Sequence, residues 1–143
     1  MFLGEYQHSL DAKGRVILPS KFRARLDRGC VIARHRDGCL AVYPIEEFEN
    51  IADRLGDMDM SSQQARDTSR VVFAGASEQT PDSQARVTIP EPLRRYAELE
   101  RDVMVAGGGK RFEIWDLTKW QTRMQQAERE FAEVVDATPG LPL

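Results

Sequence analysis

Two aspartates and two arginines in this chain share one spacing. Asp11-Ala12-Lys13-Gly14-Arg15 and Asp82-Ser83-Gln84-Ala85-Arg86 each set a carboxylate four residues before a guanidinium. Arginine carries a planar fork of donors that fits two acceptors at once, such as the edge of a guanine or a pair of phosphate oxygens. Lys13 adds a point charge suited to phosphate. A carboxylate facing phosphate is repelled, so Asp11 and Asp82 read as residues that pair with Arg15 and Arg86 and aim them. The plainer alternative is that each Asp–Arg pair only stabilises a turn between strands.

The spacing belongs to a longer repeat. Asp11 to Pro19 (DAKGRVILP) returns as Asp82 to Pro90 (DSQARVTIP), an offset of 71 residues. Each copy continues with a short amphipathic stretch, Ser20–Leu26 or Glu91–Ala97, and Pro19 and Pro90 suit its first helical position. An apolar run follows, Cys30–Ala33 against Asp102–Ala106. The turn signals His35-Arg36-Asp37-Gly38 and Gly107-Gly108-Gly109-Lys110 come next, since such dipeptides tolerate positive φ. A second strand closes each unit, Cys39–Tyr43 against Arg111–Trp115, where the offset has grown to 72 by one inserted residue. A duplicated unit of this kind places two equivalent arginines on related faces of one molecule.

Longer helices follow each unit. Glu46 to about Met58 carries Phe48, Ile51, Ala52, Leu55 and Met58 on one face, and about Thr118 to Val135 carries Trp120, Met124, Ala127, Phe131 and Val134. Thr118 is the expected N-cap of the latter. A further helix, Ser62 to Phe73, links the copies. The chain is therefore read as α+β.

Other chemistries find little footing. For Ser77 or a cysteine as nucleophile only His8 and His35 could serve as bases of the usual type, and neither sits in a catalytic motif; Gly107–Lys110 lacks the spacing of a phosphate-binding loop. Cys30 and Cys39 flank a hairpin turn and read as reduced strand residues rather than as a disulfide framework. His35 lies near them, but nothing completes a set of four metal ligands. No cofactor or metal is expected.

At 143 residues and 41% apolar the chain is long enough for one core of its own. No stretch approaches the roughly 20 apolar residues of a membrane span, and the N-terminus shows no secretory pattern, so a cytoplasmic protein is expected. Net charge is −3, yet it is unevenly spread. Residues 1–36 hold eight basic and three acidic residues, a net of +5, and residues 37–70 hold three basic and eight acidic, a net of −5. One basic face is the pattern of a protein that meets nucleic acid. Lys21, Arg23 and Arg25, alternating with Phe22, Ala24 and Leu26, read either as a second phosphate-tracking group or as a solvated helix face with snorkelling stems. Arg94 and Arg95 are their counterparts.

Met1–Tyr6, Leu10–Arg15, Leu18–Arg23, Leu40–Pro44 and Phe112–Trp115 together resemble the MraZ family of bacterial transcriptional regulators, which carry two SpoVT-AbrB-type repeats. The likeness covers about residues 1–135. It implies tandem swapped-hairpin β units in a pseudo-twofold arrangement with flanking amphipathic helices. The corresponding division is 5–47 for the first repeat, 48–75 for connecting helices, 76–119 for the second repeat, and 120–143 for a C-terminal helix and short tail. It further implies a nucleoid-associated homo-oligomeric ring, an octamer or dodecamer. Such a ring binds repeated elements in double-stranded promoter DNA ahead of the division and cell-wall gene cluster, with no small-molecule substrate. The resemblance points to Asp11, Lys13, Arg15, Asp82 and Arg86 as the contacting residues.

Three expectations complete the reading. Copy two has Ala85 where copy one has Gly14, so a loop that needs positive φ is strained there and Arg86 is presented differently; with Gln84 replacing Lys13, copy one should dominate DNA affinity. Phe2, Leu3 and Tyr6 are candidates for subunit contacts or, more plainly, for the core. An antitoxin-like protein-binding role is the competing class, against which stands the short tail Asp136–Leu143.

Overall fold

The computed structural model describes residues 1–143. Thirteen elements follow in chain order. They are β1 (Glu5–Ser9), β2 (Arg15–Ile17), α1 (Ser20–Arg23), β3 (Cys30–Arg34), β4 (Leu40–Pro44), α2 (Ile45–Gly56), α3 (Gln63–Ala74), β5 (Ser77–Gln79), β6 (Arg86–Thr88), α4 (Glu91–Tyr96), β7 (Asp102–Gly107), β8 (Phe112–Asp116) and α5 (Leu117–Ala137). The molecule is α+β, as the sequence implies.

Strand pairing is antiparallel throughout and crosses between the copies. The larger sheet has the order β1-β7-β8-β4-β3-β5, and β2 and β6 form a ribbon of their own. Exchanging equivalent strands of the two copies reverses that order onto itself. β1 of the first copy lies on β7 of the second, β5 of the second lies on β3 of the first, and β4 and β8 meet at the centre. Neither copy can close its sheet alone, because each supplies an outer strand to the other.

The core lies between sheet and ribbon. Val16, Leu18, Val87 and Ile89 point inward from the ribbon and join Ile32, Val42, Val105 and Ile114 of the sheet, all at most 2% exposed. Phe22 of α1 sits among Phe2, Tyr6 and Phe112, with ring centroids 5.0–5.4 Å away. Of the three candidate contact residues, Phe2 and Tyr6 thus belong to this packing, while Leu3 is exposed.

Several local expectations shift by a residue or two. Pro19 and Pro90 stand just before the first helical residue, with ψ of 140° and 149°, so their fixed φ turns the chain into the helix rather than opening it. The N-cap of α5 is Asp116, whose carboxylate accepts the Lys119 N–H at 3.0 Å, and Thr118 already lies within the helix. Ser62 caps α3 by accepting the Ala65 N–H. No residue of α5 is buried: it packs on β7 and β8, with Trp120 against Trp115, and Phe131 and Val134 remain exposed. Cys30 pairs opposite Pro44, whereas Cys39 lies beyond the other end of the hairpin ladder, past Leu40↔Arg34, so the register keeps the two thiols apart.

Phe22→Ala should destabilise the chain by about 3–5 kcal/mol, the usual loss for a fully buried ring, read as a lower urea midpoint.

Candidate nucleic-acid interface

The ribbon brings the two Asp-x-x-x-Arg loops together. β2 and β6 pair with Arg15 opposite Thr88, Val16 opposite Val87 and Ile17 opposite Arg86. The ladder runs on into the loops themselves: the Leu18 N–H donates to the Ala85 carbonyl and the Ile89 N–H to the Gly14 carbonyl, both at 2.8 Å. Each loop is therefore clamped by the other copy's strand.

Within each loop the aspartate organises both backbone and side chain. Asp11 Oδ1 accepts the N–H groups of Lys13 and Arg15, each at 2.9 Å, and Oδ2 accepts Arg15 Nε at 2.7 Å. Asp82 repeats the set with Gln84, Arg86 and Arg86 Nε at 2.9, 2.9 and 2.8 Å. Because Nε is the atom engaged, the terminal nitrogens of Arg15 and Arg86 have no protein partner and retain their donors. The two arginine side chains are partly buried, 27% and 24% exposed, so they are held without being fully covered. The Arg15 and Arg86 backbone N–H groups, more than the guanidinium charges, hold the Asp11 and Asp82 carboxyls below the ordinary aspartate range.

The expected difference in presentation between the copies is not what the geometry shows. Gly14 has φ +76° and Ala85 has φ +62°. Alanine accepts the left-handed conformation, so the strain falls on Ala85 while the Asp82–Arg86 bonding matches that of Asp11–Arg15. The copies differ instead in their braces. Arg94 donates to the Ile89 carbonyl and covers Gly14, where a β-carbon would collide with its guanidinium. Arg23 donates across the copies to the Asp82 carbonyl at 3.2 Å. These unequal contacts were not visible from either segment alone, although Arg23 and Arg94 are related by the same 71-residue offset.

The remaining sequence candidates are spread around this centre. Lys13 lies exposed on the first loop and Lys21 exposed on α1, neither with a side-chain partner. Arg95 is paired with Glu91 at 2.9 Å. Elsewhere, Glu113 joins His35 and Cys39, with donor atoms within 4.8 Å of one another. The carboxylate is already committed: Glu113 accepts Arg111 Nη2 at 3.1 Å and Trp115 Nε1 at 3.0 Å. Burial pushes the Cys30 and Cys39 thiols up to about 12, which keeps both protonated and poor as nucleophiles.

The architecture defines a class: a chain of two interlocked copies of one β unit, presenting two carboxylate-oriented arginines on a shared ribbon. The chain belongs to the MraZ family. The model of that family, described as antitoxin-like, matches it twice, over residues 1–71 and 72–139. It is 47% identical over 142 residues to a protein of Micrococcus luteus named transcriptional regulator MraZ, covering 99% of each chain. Proteins of the same name from Kocuria rhizophila and Salinispora tropica are 47% and 48% identical over 142 residues, covering 99% of this chain and 99% and 100% of theirs.

Two outcomes follow from the loop geometry. Ala85→Gly should stabilise the chain by about 1 kcal/mol by relieving the left-handed alanine, seen as a higher urea midpoint. The Asp11 and Asp82 carboxyls are depressed in the folded state, so their contribution is present above the unfolded value of about 3.9 and lost only as pH falls below it. The Arg15 and Arg86 Nε–H resonances should accordingly keep their shifts through pH 4 and move at lower pH.

Proposed function

We propose that this protein is a transcriptional regulator that binds promoter DNA through the Asp11–Arg15 and Asp82–Arg86 loops. The observation that carries the reading is the pairing at Nε: each arginine is aimed by its aspartate while its outer donors stay free for guanine N7 and O6 or for phosphate. The aspartates serve as orienters, and Lys13, Lys21 and, beyond its brace, Arg23 add phosphate contacts. The names of the relatives support regulation of transcription rather than catalysis. The exchange of outer strands between copies supports the swapped-hairpin description of each unit.

We further read the protein as a homo-oligomeric ring acting on the cytoplasmic nucleoid. Exposed Met58 on the segment after α2, Val71 and Phe73 on α3, and Phe131 and Val134 on α5 offer apolar surface that one chain leaves uncovered. A ring presents several ribbons at fixed spacing, so repeated elements ahead of a division and cell-wall gene cluster are held together and later contacts become intramolecular. Lys13 on the first loop, against Gln84 on the second, favours a larger contribution from copy one.

The test is a salt-dependent anisotropy titration against the DNA upstream of the protein's own gene, with scrambled DNA as competitor. Wild type should bind selectively, with affinity falling steeply as salt rises. Arg15→Ala should cost about 1–3 kcal/mol with the assembly intact by sedimentation, and Arg86→Ala should cost less. Wild-type affinity for the promoter in Arg15→Ala would remove the assignment.

A further inference from the structure

The outward face of the β2–β6 ribbon carries more than its arginines. In an antiparallel ladder, opposed residues share a face, and so do residues two apart along a strand. Val16 and Val87 point into the core and are 0% and 2% exposed. Arg15, Ile17, Arg86 and Thr88 must therefore all face outward, with Ile17 beside Arg86 and Thr88 beside Arg15. The arginines sit on a diagonal, with backbone positions roughly 7–8 Å apart, about two steps of a duplex whose bases rise about 3.4 Å each.

Beside Arg86, and two residues along the strand from Arg15, stands a branched apolar side chain that the chain leaves half uncovered. Ile17 is 52% exposed. A lone exposed isoleucine is ordinary, but this one occupies a four-residue face whose other members are two oriented arginines and a threonine. The strand beneath is rigid, because Val16 is locked in the core and Leu18 N–H is bonded to the second loop. On the second strand, Gln79 donates to the Thr88 carbonyl and accepts the Thr88 N–H, which fixes that backbone as well. A major groove admits a two-stranded ribbon, and among its base-edge features only the C5 methyl of thymine is apolar.

Resting on the DNA-binding reading above, we propose that Ile17 is a specificity-determining residue that packs on a thymine C5 methyl in the major groove, beside a guanine bonded by a ribbon arginine. Thr88 occupies the equivalent place in copy two with one methyl and a hydroxyl, and so discriminates less. The two halves of the ribbon then read unequal sequences.

Replacing thymine by deoxyuridine removes the methyl and leaves every hydrogen-bonding group in place. The full-length protein should be titrated with duplexes from upstream of its own gene in which each thymine in turn is deoxyuridine. Burial of one methyl is worth about a fourfold change in affinity. Wild type should lose about that factor at one thymine position of the bound element, Ile17→Val should keep part of the discrimination, and Ile17→Ser should bind both duplexes equally. Equal binding of wild type to thymine and deoxyuridine at every position would overturn the proposal. So would discrimination that survives in Ile17→Ser, or an altered assembly in Ile17→Ser with no thymine effect in wild type, which would assign the face to a second copy. If wild type does not prefer this DNA to scrambled DNA at all, the DNA-binding reading itself fails, an outcome distinct from loss of the thymine effect alone.

Discussion

The short pairing of β2 with β6 is the constraint on which the rest of the molecule depends. It is three residues long on each side, yet it is anchored below by Val16 and Val87 and extended at both ends by bonds into the opposite loop. Three residue pairs would not persist alone in water. They persist because the inward valines are part of the same core that seats α1 and α4. The result is that the two loops are positioned relative to one another by strand register rather than by flexible tethers. Register errors of one residue would turn the valines outward and the arginines inward, so the hydrophobic core itself enforces the presentation of the charges.

Aspartate does the second part of the positioning. One oxygen gathers two backbone N–H groups and closes the loop, while the other takes the arginine at Nε. A long, rotamer-rich side chain is thereby ordered before any partner arrives, which lowers the entropy cost of an encounter. In a chain whose 20 lysines and arginines are outnumbered by 23 acidic residues, the arrangement of the positive groups matters more than their number. Arg23 and Arg94 extend the same economy, since each reaches from a short helix to a carbonyl at the base of the ribbon.

Much of this was legible in the sequence because it is local. The Asp-x-x-x-Arg spacing, the proline that ends each strand, the hairpin turns and the helical faces all follow from residues close along the chain. What was not legible is how the copies share strands. Nothing near Glu5 indicates that β1 will lie on β7, about one hundred residues away, because pairing partners are chosen by the whole core. The same holds for Arg94 over Gly14, which turns a residue chosen for backbone freedom into one chosen also for space. Ala85 suggested a distorted second loop. Instead, three aspartate bonds and the ladder bond to Leu18 outweigh the cost of a left-handed alanine, so the loop keeps its shape. The cap of α5 fell to Asp116 rather than Thr118, as the carboxylate is the one acceptor placed three residues before the free N–H of Lys119.

The fusion of two units into one chain has a consequence for symmetry. A dimer of identical units carries the same arms on both sides and is matched to a palindrome. Here the two arms are encoded separately, and they differ at equivalent positions: Lys13 corresponds to Gln84, Gly14 to Ala85 and Ile17 to Thr88. A covalent pair of this kind has a head and a tail. Laid on a linear partner, it can tell one direction from the other, and copies arranged side by side inherit a common polarity.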